Sequence, residues 1–238
     1  MATYAFAAPV LAGMTDKYRA FTEALVSSRR DEAETSRRVA GLDREQVFLQ
    51  PTPMGDVAII VWETNDFEKV SKHFATDTSD FGAWFRSSLE TFHGFDIATT
   101  PMPAPVLVDE WKDSSWTHGL NSWAFAFPVK DEAGWKAWIA ELLGARREEF
   151  ASTRLSFGVK RASFFRFETP NGALAVQYVQ GDAGSFPKAA EATANGTEPL
   201  YVWWREQMQG FSAVPMFQGA APKVEELIDF QVKVPANA

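Results

Sequence analysis

The chain has 238 residues, 46% hydrophobic and 23% charged, which is globular composition and long enough for one large domain or two small ones. Its net charge of −8 argues against nucleic acid and anionic membranes as partners, because both attract positively charged proteins. Cysteine is absent, which excludes disulfides, thiolate nucleophiles and cysteine-ligated metals. The N-terminus lacks a basic region and its apolar run is too short to span a bilayer, so we expect a cytoplasmic protein without a membrane partner.

The first half predicts the element order β-α-β-β-α-β. A short apolar strand, "TYAFAAPV", precedes a helix from about Lys17 to Ala40, which Gly41 ends. The strands "EQVFLQ" and "VAIIVWE" form a hairpin around the turn "PTPMGD". A second helical region, with a break near residues 77–81, ends at Gly94, and "PVLVDEW" is the last strand.

The second half repeats the first. "YAFAAPV" at Tyr4 returns as "WAFAFPV" at Trp123, and "AWFR" at residues 83–86 returns as "VWWR" at residues 202–205. Residues 18–63 of the first half align with the second half without a gap, at a distance of 117 positions, so that Arg29 matches Arg146 and Gly41 matches Gly158. So long a register without gaps indicates a tandem duplication.

Each repeat therefore predicts one ferredoxin-like unit. We place the first repeat at residues 1–112, a polar linker at 113–122 and the second repeat at 123–238. The expected fold class is α+β. Two antiparallel sheets pack against each other as an intramolecular barrel, with the helices outside. The chain is then a monomeric pseudo-dimer or a homo-oligomer of such barrels.

This duplicated order resembles the dimeric α+β barrel superfamily. The "RRDEAE" run at Arg29, "VFLQPTPMGD" at Val47 and "WFR" at Trp84 are similar to segments of its small single-repeat members. The superfamily includes antibiotic-biosynthesis monooxygenases, muconolactone isomerases, NIPSNAP-like and EthD-like proteins, and the haem-binding chlorite dismutases and dye-decolourising peroxidases. The resemblance implies a small apolar or aromatic ligand with an anionic group, and chemistry of the monooxygenase, isomerase or cyclase kind without a cofactor.

The histidines bear on the haem families within this resemblance. Those families take their iron ligand from a histidine of the second repeat, whereas His73, His93 and His118 all precede it here. We therefore expect no haem, no other cofactor and no metal. His93 fits a residue at a helix end, and His118 lies in the linker. His73 is a weak candidate for a catalytic base, since a lone histidine beside Phe74 on a helix is more often a packed or half-exposed residue.

The arginine-rich helix offers the first candidate contacts. Its apolar stripe of Tyr18, Phe21 and Leu25 continues into Arg29 and Glu32. The second copy continues likewise into Arg146 and Glu149. Each pair either locks its helix in place or forms the polar end of an apolar pocket that holds an anionic group. The other arginines of these helices, Arg30, Arg37, Arg147 and Arg154, are expected to face water.

Two further sets complete the candidates. Trp84 with Arg86, and Trp203 with Arg205, fit either an apolar anionic ligand or ordinary packing with a snorkelling arginine. Arg86 is also a weak catalytic candidate. The second hairpin has gained the polar side chains Tyr178, Gln177 and Arg166, which fit ligand contacts or an internal hydrogen-bond network.

No nucleotide-binding, serine-hydrolase or zinc-protease motif is found in the sequence. The sequence thus predicts a protein that binds a small molecule, with or without catalysis. A non-catalytic assembly protein, in which the repeats serve oligomerisation, is the alternative.

Overall fold

The computed structural model describes residues 1–100, 102–216 and 221–232. Within these ranges the chain forms two four-stranded antiparallel sheets and eight helices, in the predicted α+β order. The predicted second repeat extends to residue 238, and residues 233–238 lie outside the described part. The structure divides into two compact units: unit 1 holds Met1–Ala104 and the segment that begins at Glu225, and unit 2 holds Pro105–Val224.

Unit 1 contains one sheet and four helices. Its elements are β1 Ala2–Pro9, α1 Thr15–Val26, α2 Arg30–Ala40, β2 Leu42–Thr52, β3 Gly55–Thr64, α3 Phe67–Thr76, α4 Asp80–His93 and β8 Glu225–Gln231. The strand order is β1-β3-β2-β8, and every neighbouring pair is antiparallel.

Unit 2 has the same architecture. Its elements are β4 Val106–Lys112, β5 Asn121–Pro128, α5 Glu132–Leu143, α6 Arg147–Ser156, β6 Val159–Thr169, β7 Gly172–Gly181, α7 Ser185–Asn195 and α8 Pro199–Phe211. The strand order, β4-β6-β7-β5, is that of unit 1 read from the other edge.

The last strand of each repeat pairs within the sheet of the other repeat. β4 follows the first repeat but pairs with β6, and β8 follows the second repeat but pairs with β2. Matching ion pairs fix both exchanged strands: Arg44 on β2 binds Asp229 at 2.7 Å, and Arg161 on β6 binds Glu110 at 2.9 Å. The boundaries 1–112, 113–122 and 123–238 stay a prediction about the duplication, because the compact units cross them.

The long helix predicted for residues 17–40 is two helices, which is a correction to the sequence analysis. α1 ends at Val26 and α2 begins at Arg30, and α5 and α6 are separated in the same way. α2 ends as predicted, with Gly41 in the left-handed conformation at φ 80°. The break resets the inward stripe of α2 to Ala33, Ser36, Arg37 and Ala40.

Because of this reset, Arg37 and Arg154 do not face water. Arg37 is 1% exposed and Arg154, its counterpart on α6, is 6% exposed. The predicted break in the second helical region is confirmed, because α3 and α4 are separated at Asp77. The predicted end of that region is confirmed as well, because α4 ends before Gly94, which is left-handed.

The core of each unit lies between its helices and one face of its sheet. Aromatic rings fill it, as Phe6 against Trp62 in unit 1 and Trp138 against Trp204 in unit 2, with ring centroids 4.8 and 5.0 Å apart. In the part of the chain that the structure describes, no helix is both long and apolar enough to cross a membrane.

Candidate functional site

The buried arginine of unit 1 is bound to a carboxylate of the same unit. The Arg37 guanidinium reaches from α2 to Glu45 on β2, where its Nε and Nη2 donate to Oε2 at 3.0 and 2.7 Å. Trp62 on β3 donates its indole N–H to the other carboxylate oxygen at 3.1 Å. A buried guanidinium is tolerated when a carboxylate neutralises it and further hydrogen bonds satisfy that carboxylate.

Unit 2 keeps the arginine and lacks both partners. Glu45 pairs with Trp62 across β2 and β3, and the equivalent pair across β6 and β7 is Ala162 with Val179. Both strand pairs carry the same bulge at the same place, before Arg44 in one unit and before Arg161 in the other. The two positions are therefore structurally equivalent, and the sheet of unit 2 offers Arg154 two short apolar side chains.

Arg154 has few polar partners of its own. Its Nη2 lies 3.5 Å from the Thr193 hydroxyl, and the Tyr201 hydroxyl also interacts with the guanidinium. Its buried Nε has no hydrogen-bond partner among the described residues, and none of their carboxylates forms an ion pair with it. Burial lowers the pKa of this guanidinium to about 10, so the group is still charged at neutral pH.

A cavity of about 20 Å³ lies beside this guanidinium, inside unit 2. Apolar side chains dominate its wall, and Arg154, Gln177 and Thr193 supply the polar atoms. The described lining residues are Phe125, Arg154, Val159, Ala162, Gln177, Val179, Phe186, Ala189, Ala190, Thr193 and Trp204. Ala162 and Val179 are thus part of the wall, where the larger Glu45 and Trp62 stand in unit 1.

This arrangement is chemically an anion site. A charged group inside an apolar wall costs several kcal/mol unless a counter-charge reaches it. A volume of about 20 Å³ is slightly more than one water needs, so the cavity admits a group about the size of one or two waters. The cavity therefore fits a small anionic group, with the guanidinium as its main donor.

The predicted arginine and tryptophan candidates come together in both units, away from this cavity. Arg29 donates from Nε and Nη2 to Glu32 at 2.8 Å, and its guanidinium lies 4.1 Å from the Trp84 ring centre. In unit 2 the Arg146 guanidinium lies 4.3 Å from the Trp203 ring. The described partners of Arg29 are therefore groups of its own unit.

Arg146 has the same kind of surroundings as Arg29. Its Nε donates to Glu141 at 2.8 Å, and its Nη1 donates to Glu149 at 3.3 Å. The guanidinium side chain is 29% exposed and both carboxylate side chains are more exposed than it is. The tryptophan contacts connect each arginine, at the junction between two helices, to a third helix: Arg29 to α4 and Arg146 to α8.

The second pair of predicted arginines contacts backbone carbonyls. Arg86 donates to the carbonyl of Asp77, just after α3. Arg205 donates to the carbonyls of Thr193 and Gly196, at the end of α7, both at 2.8 Å. Both arginines satisfy carbonyls at a helix end, which the helix itself leaves without partners.

Two hairpin candidates lie on opposite sides of the unit 2 sheet. Tyr178 is fully buried, and the Arg161 guanidinium lies 5.9 Å from its ring centre. Gln177, the residue before Tyr178, lies on the opposite face of the sheet and lines the Arg154 cavity. Gln177 is thus the one sequence candidate that the structure brings to the cavity.

The histidines are placed among protein partners. His93 is buried and its Nδ1 lies 2.8 Å from the carbonyl oxygen of Pro9, to which it donates; burial lowers its pKa. His73 Nε2 lies 2.9 Å from the Ser36 hydroxyl, and burial, more than any other cause, lowers its pKa. Asp77 lies 3.8 Å from this same nitrogen, so the three do not form a relay through both ring nitrogens.

No cluster of three metal-ligating side chains exists within residues 1–100, 102–216 and 221–232.

The residue that defines the site, Arg154, was expected to face water. A signal for it existed in the alignment of the two halves, which sets Ala162 against Glu45 and Val179 against Trp62. These two differences point to a site only once it is known that Arg37 is buried and bound to Glu45. That depends on where α2 begins.

No protein-family model matches the chain, and no curated protein matches it. A solved structure described as an anthrone oxidase-like protein matches with a TM-score of 0.55 at 12% identity, over 99% of this chain and 95% of that one. A candidate monooxygenase from Fusobacterium nucleatum subsp. nucleatum ATCC 25586 matches with a TM-score of 0.49 at 14% identity, over 97% and 92%. The first match shows that this chain shares its ferredoxin-like α+β fold.

Proposed function

We propose that this protein binds a small apolar or aromatic molecule through an anionic group, in the cavity of unit 2. The observation that carries the proposal is the Arg154 guanidinium, which is buried, charged, without a carboxylate and next to that cavity. An anionic ligand would neutralise the buried charge, and the apolar wall would hold the rest of the molecule.

The volume of the cavity limits the ligand. About 20 Å³ accommodates the anionic group itself. A ring attached to that group needs further space, and the side chain best placed to give it is Phe186. This residue lies in the first turn of α7, lines the cavity and is only partly buried. We therefore expect one-ring ligands to bind by displacing Phe186 outwards.

The name of the structural neighbour provides a second candidate function, oxidation of an aromatic substrate by dioxygen. Three fused rings such as those of anthrone are much larger than the cavity. For this reason binding is the function we place first. Oxygen uptake with anthrone, measured for the purified protein and for Arg154→Met, tests the second: uptake above the uncatalysed rate that is lost in the variant would support it.

The binding proposal is tested with a pair of ligands of equal shape and different charge. Benzoate and benzamide are titrated into the protein, with isothermal calorimetry and thermal unfolding as the two measurements. Benzoate is expected to bind and to raise the Tm, whereas benzamide is expected to do neither, since a guanidinium distinguishes a carboxylate from a neutral amide by its charge.

The controls are two arginine variants from equivalent helices. Arg154→Met should abolish the response to benzoate, and Arg38→Met, which removes an exposed arginine of α2, should leave it unchanged. Equal binding of benzamide, or benzoate binding that survives in Arg154→Met, would contradict the proposal. A lack of response to formate, acetate and benzoate alike, at millimolar concentration, would also contradict it.

The surface candidates from the sequence, among them Arg146, Glu149 and Trp203, remain a prediction about ligand contacts. Arg146→Ala in the same titration tests them. A weakening of benzoate binding would extend the site to this surface, and unchanged affinity would restrict it to the cavity.

A further inference from the structure

We infer that the ligand group is specifically a carboxylate, and that it takes the position that the Glu45 side chain has in unit 1. This inference rests on the proposed function and adds to it the chemical class of the ligand and its place in the site. It follows from comparing the two units atom by atom around their buried arginines.

The first step is the framework, which is the same in both units. Arg37 and Arg154 have equivalent positions on α2 and α6, and each is packed among aromatic rings. The Arg37 guanidinium lies 5.1 Å from the Phe85 ring centre, and that of Arg154 lies 5.1 Å from the Trp204 ring centre. The strands opposite them share one register and one bulge. The space that the Glu45 carboxylate fills next to Arg37 therefore has an equivalent next to Arg154, opposite Ala162.

The second step is the group that the framework positions. In unit 1, Nε and Nη2 of the arginine both donate to the Glu45 carboxylate. In unit 2 the buried Nε has no described partner, Nη2 lies 3.5 Å from the Thr193 hydroxyl, and the Tyr201 hydroxyl is the other described polar partner of the guanidinium. The donor edge that binds a carboxylate in unit 1 is thus without one in unit 2, where the arginine lines the cavity.

The third step is the second donor. The Trp62 indole N–H, which binds the other oxygen of Glu45, has no counterpart at Val179. A carboxamide has been gained nearby instead, because Gln177 occupies the position that Ile60 has in unit 1 and lines the cavity. Its amide can donate to the second ligand oxygen, as the indole does in unit 1.

The shape and charge of the site favour a carboxylate over other anions. In unit 1 the guanidinium edge binds one carboxylate oxygen and a second donor binds the other, whereas a halide presents one centre and would leave Gln177 without a partner. A phosphate dianion is larger and carries a charge that one guanidinium does not neutralise, so its burial costs more. The expected order of affinity is carboxylate, then chloride, then phosphate.

The test restores the internal carboxylate. Ala162→Glu places a glutamate opposite Arg154, as Glu45 stands opposite Arg37, and Ala162→Gln is the matched control with the same size and no charge. If the ligand carboxylate and this glutamate share one position, Ala162→Glu raises the Tm by several degrees relative to Ala162→Gln without any ligand. It also weakens benzoate binding about tenfold or more, beyond the effect of Ala162→Gln.

The outcomes separate this inference from the proposed function. Benzoate binding that needs Arg154 but is equally strong in Ala162→Glu and Ala162→Gln overturns the inference and leaves the proposed function standing. A higher Tm for Ala162→Glu with no benzoate binding to the wild-type protein supports the carboxylate position and contradicts the proposed function. Equal Tm values for the two variants overturn the inference in either case.

The reciprocal variant tests the same position from unit 1. Glu45→Ala removes the carboxylate from Arg37, and formate or acetate should then raise the Tm of the variant more than they raise that of the wild-type protein. Chloride at the same concentration should raise it less. Equal effects of chloride and formate would show that the framework selects charge alone and would overturn the carboxylate assignment.

Discussion

The two halves of this chain place an arginine at the same buried position and surround it in opposite ways. Arg37 binds Glu45, whose carboxylate also accepts the Trp62 indole N–H, so the charge is neutralised within the fold. Arg154 faces Ala162 and Val179 beside a cavity. The comparison shows that equivalent buried arginines can be neutralised by a carboxylate in one half and left without one in the other.

Exchanging both arginines for methionine provides the largest test of this comparison. Arg37→Met should lower the free energy of unfolding by about 3–5 kcal/mol, because it leaves Glu45 buried without its partner. Arg154→Met should leave the free energy of unfolding unchanged or raise it by about 1–4 kcal/mol, because it removes a buried charge that has no carboxylate. Urea unfolding in a buffer without carboxylates measures both.

Arg38→Met is the control, since Arg38 lies beside Arg37 on α2 in an exposed pair with Glu34. Its replacement should cost less than about 1 kcal/mol. Similar losses for Arg37→Met and Arg154→Met would mean that the two arginines have the same surroundings in solution, against the structure.

The ion pairs of the exchanged strands should behave alike in the two halves. Arg44→Met and Arg161→Met each remove charged hydrogen bonds to a strand of the other repeat, and each should cost about 1–3 kcal/mol. Arg19→Met, which removes an exposed pair with Glu225, should cost less than about 1 kcal/mol. A loss confined to one half would show that only one exchanged strand depends on its arginine.

Acid sensitivity from buried histidines should be a property of unit 1, where burial lowers the pKa of both His73 and His93, and His93 is the more buried of the two. Burial lowers the pKa of His93, and Ser212 occupies the equivalent position at the end of α8. Below pH 6.5 the unfolded chain takes up a proton that buried His93 resists, so the free energy of unfolding falls as the pH decreases, by about 1.4 kcal/mol per unit of pKa difference.

His93→Gln retains an N–H donor for the Pro9 carbonyl and does not titrate. Unfolding measured between pH 7.5 and 5 should therefore show a weaker pH dependence in this variant than in the wild-type protein. An unchanged slope would assign the acid sensitivity to other groups.

The smallest effects on the free energy of unfolding are expected at Arg29 and Arg146, whose surface contacts are alike in the two halves. Arg29→Ala removes one partly exposed ion pair and Arg146→Ala removes two, and each variant also loses a contact with a tryptophan ring. Each should lower the free energy of unfolding by about 1 kcal/mol or less, and by similar amounts. A large loss of unfolding free energy for only one of these two variants would show that the surroundings of Arg29 and Arg146 differ, as those of Arg37 and Arg154 do.

Much of the fold was predictable because the two halves are similar in sequence, so that each half is a check on the prediction for the other. The order of elements, the break between α3 and α4 and the glycine stops at Gly41 and Gly94 follow from local rules of helix ends and turns. The break between α1 and α2 was not predicted, because helical periodicity continues across it. That break reversed the exposure of Arg37 and Arg154, and with them the location of the candidate site.

The sequence by itself determined the α+β class, the similarity of the two halves and the absence of counterparts of Glu45 and Trp62 from the second half, since these are properties of residue types and their spacing. The tertiary structure decided which strand completes each sheet and which arginine is buried. Strand partners are chosen by long-range pairing, and the inward face of a helix depends on the residue at which that helix begins. Only the tertiary structure shows that Ala162 and Val179, the counterparts of Glu45 and Trp62, line a cavity beside the buried Arg154.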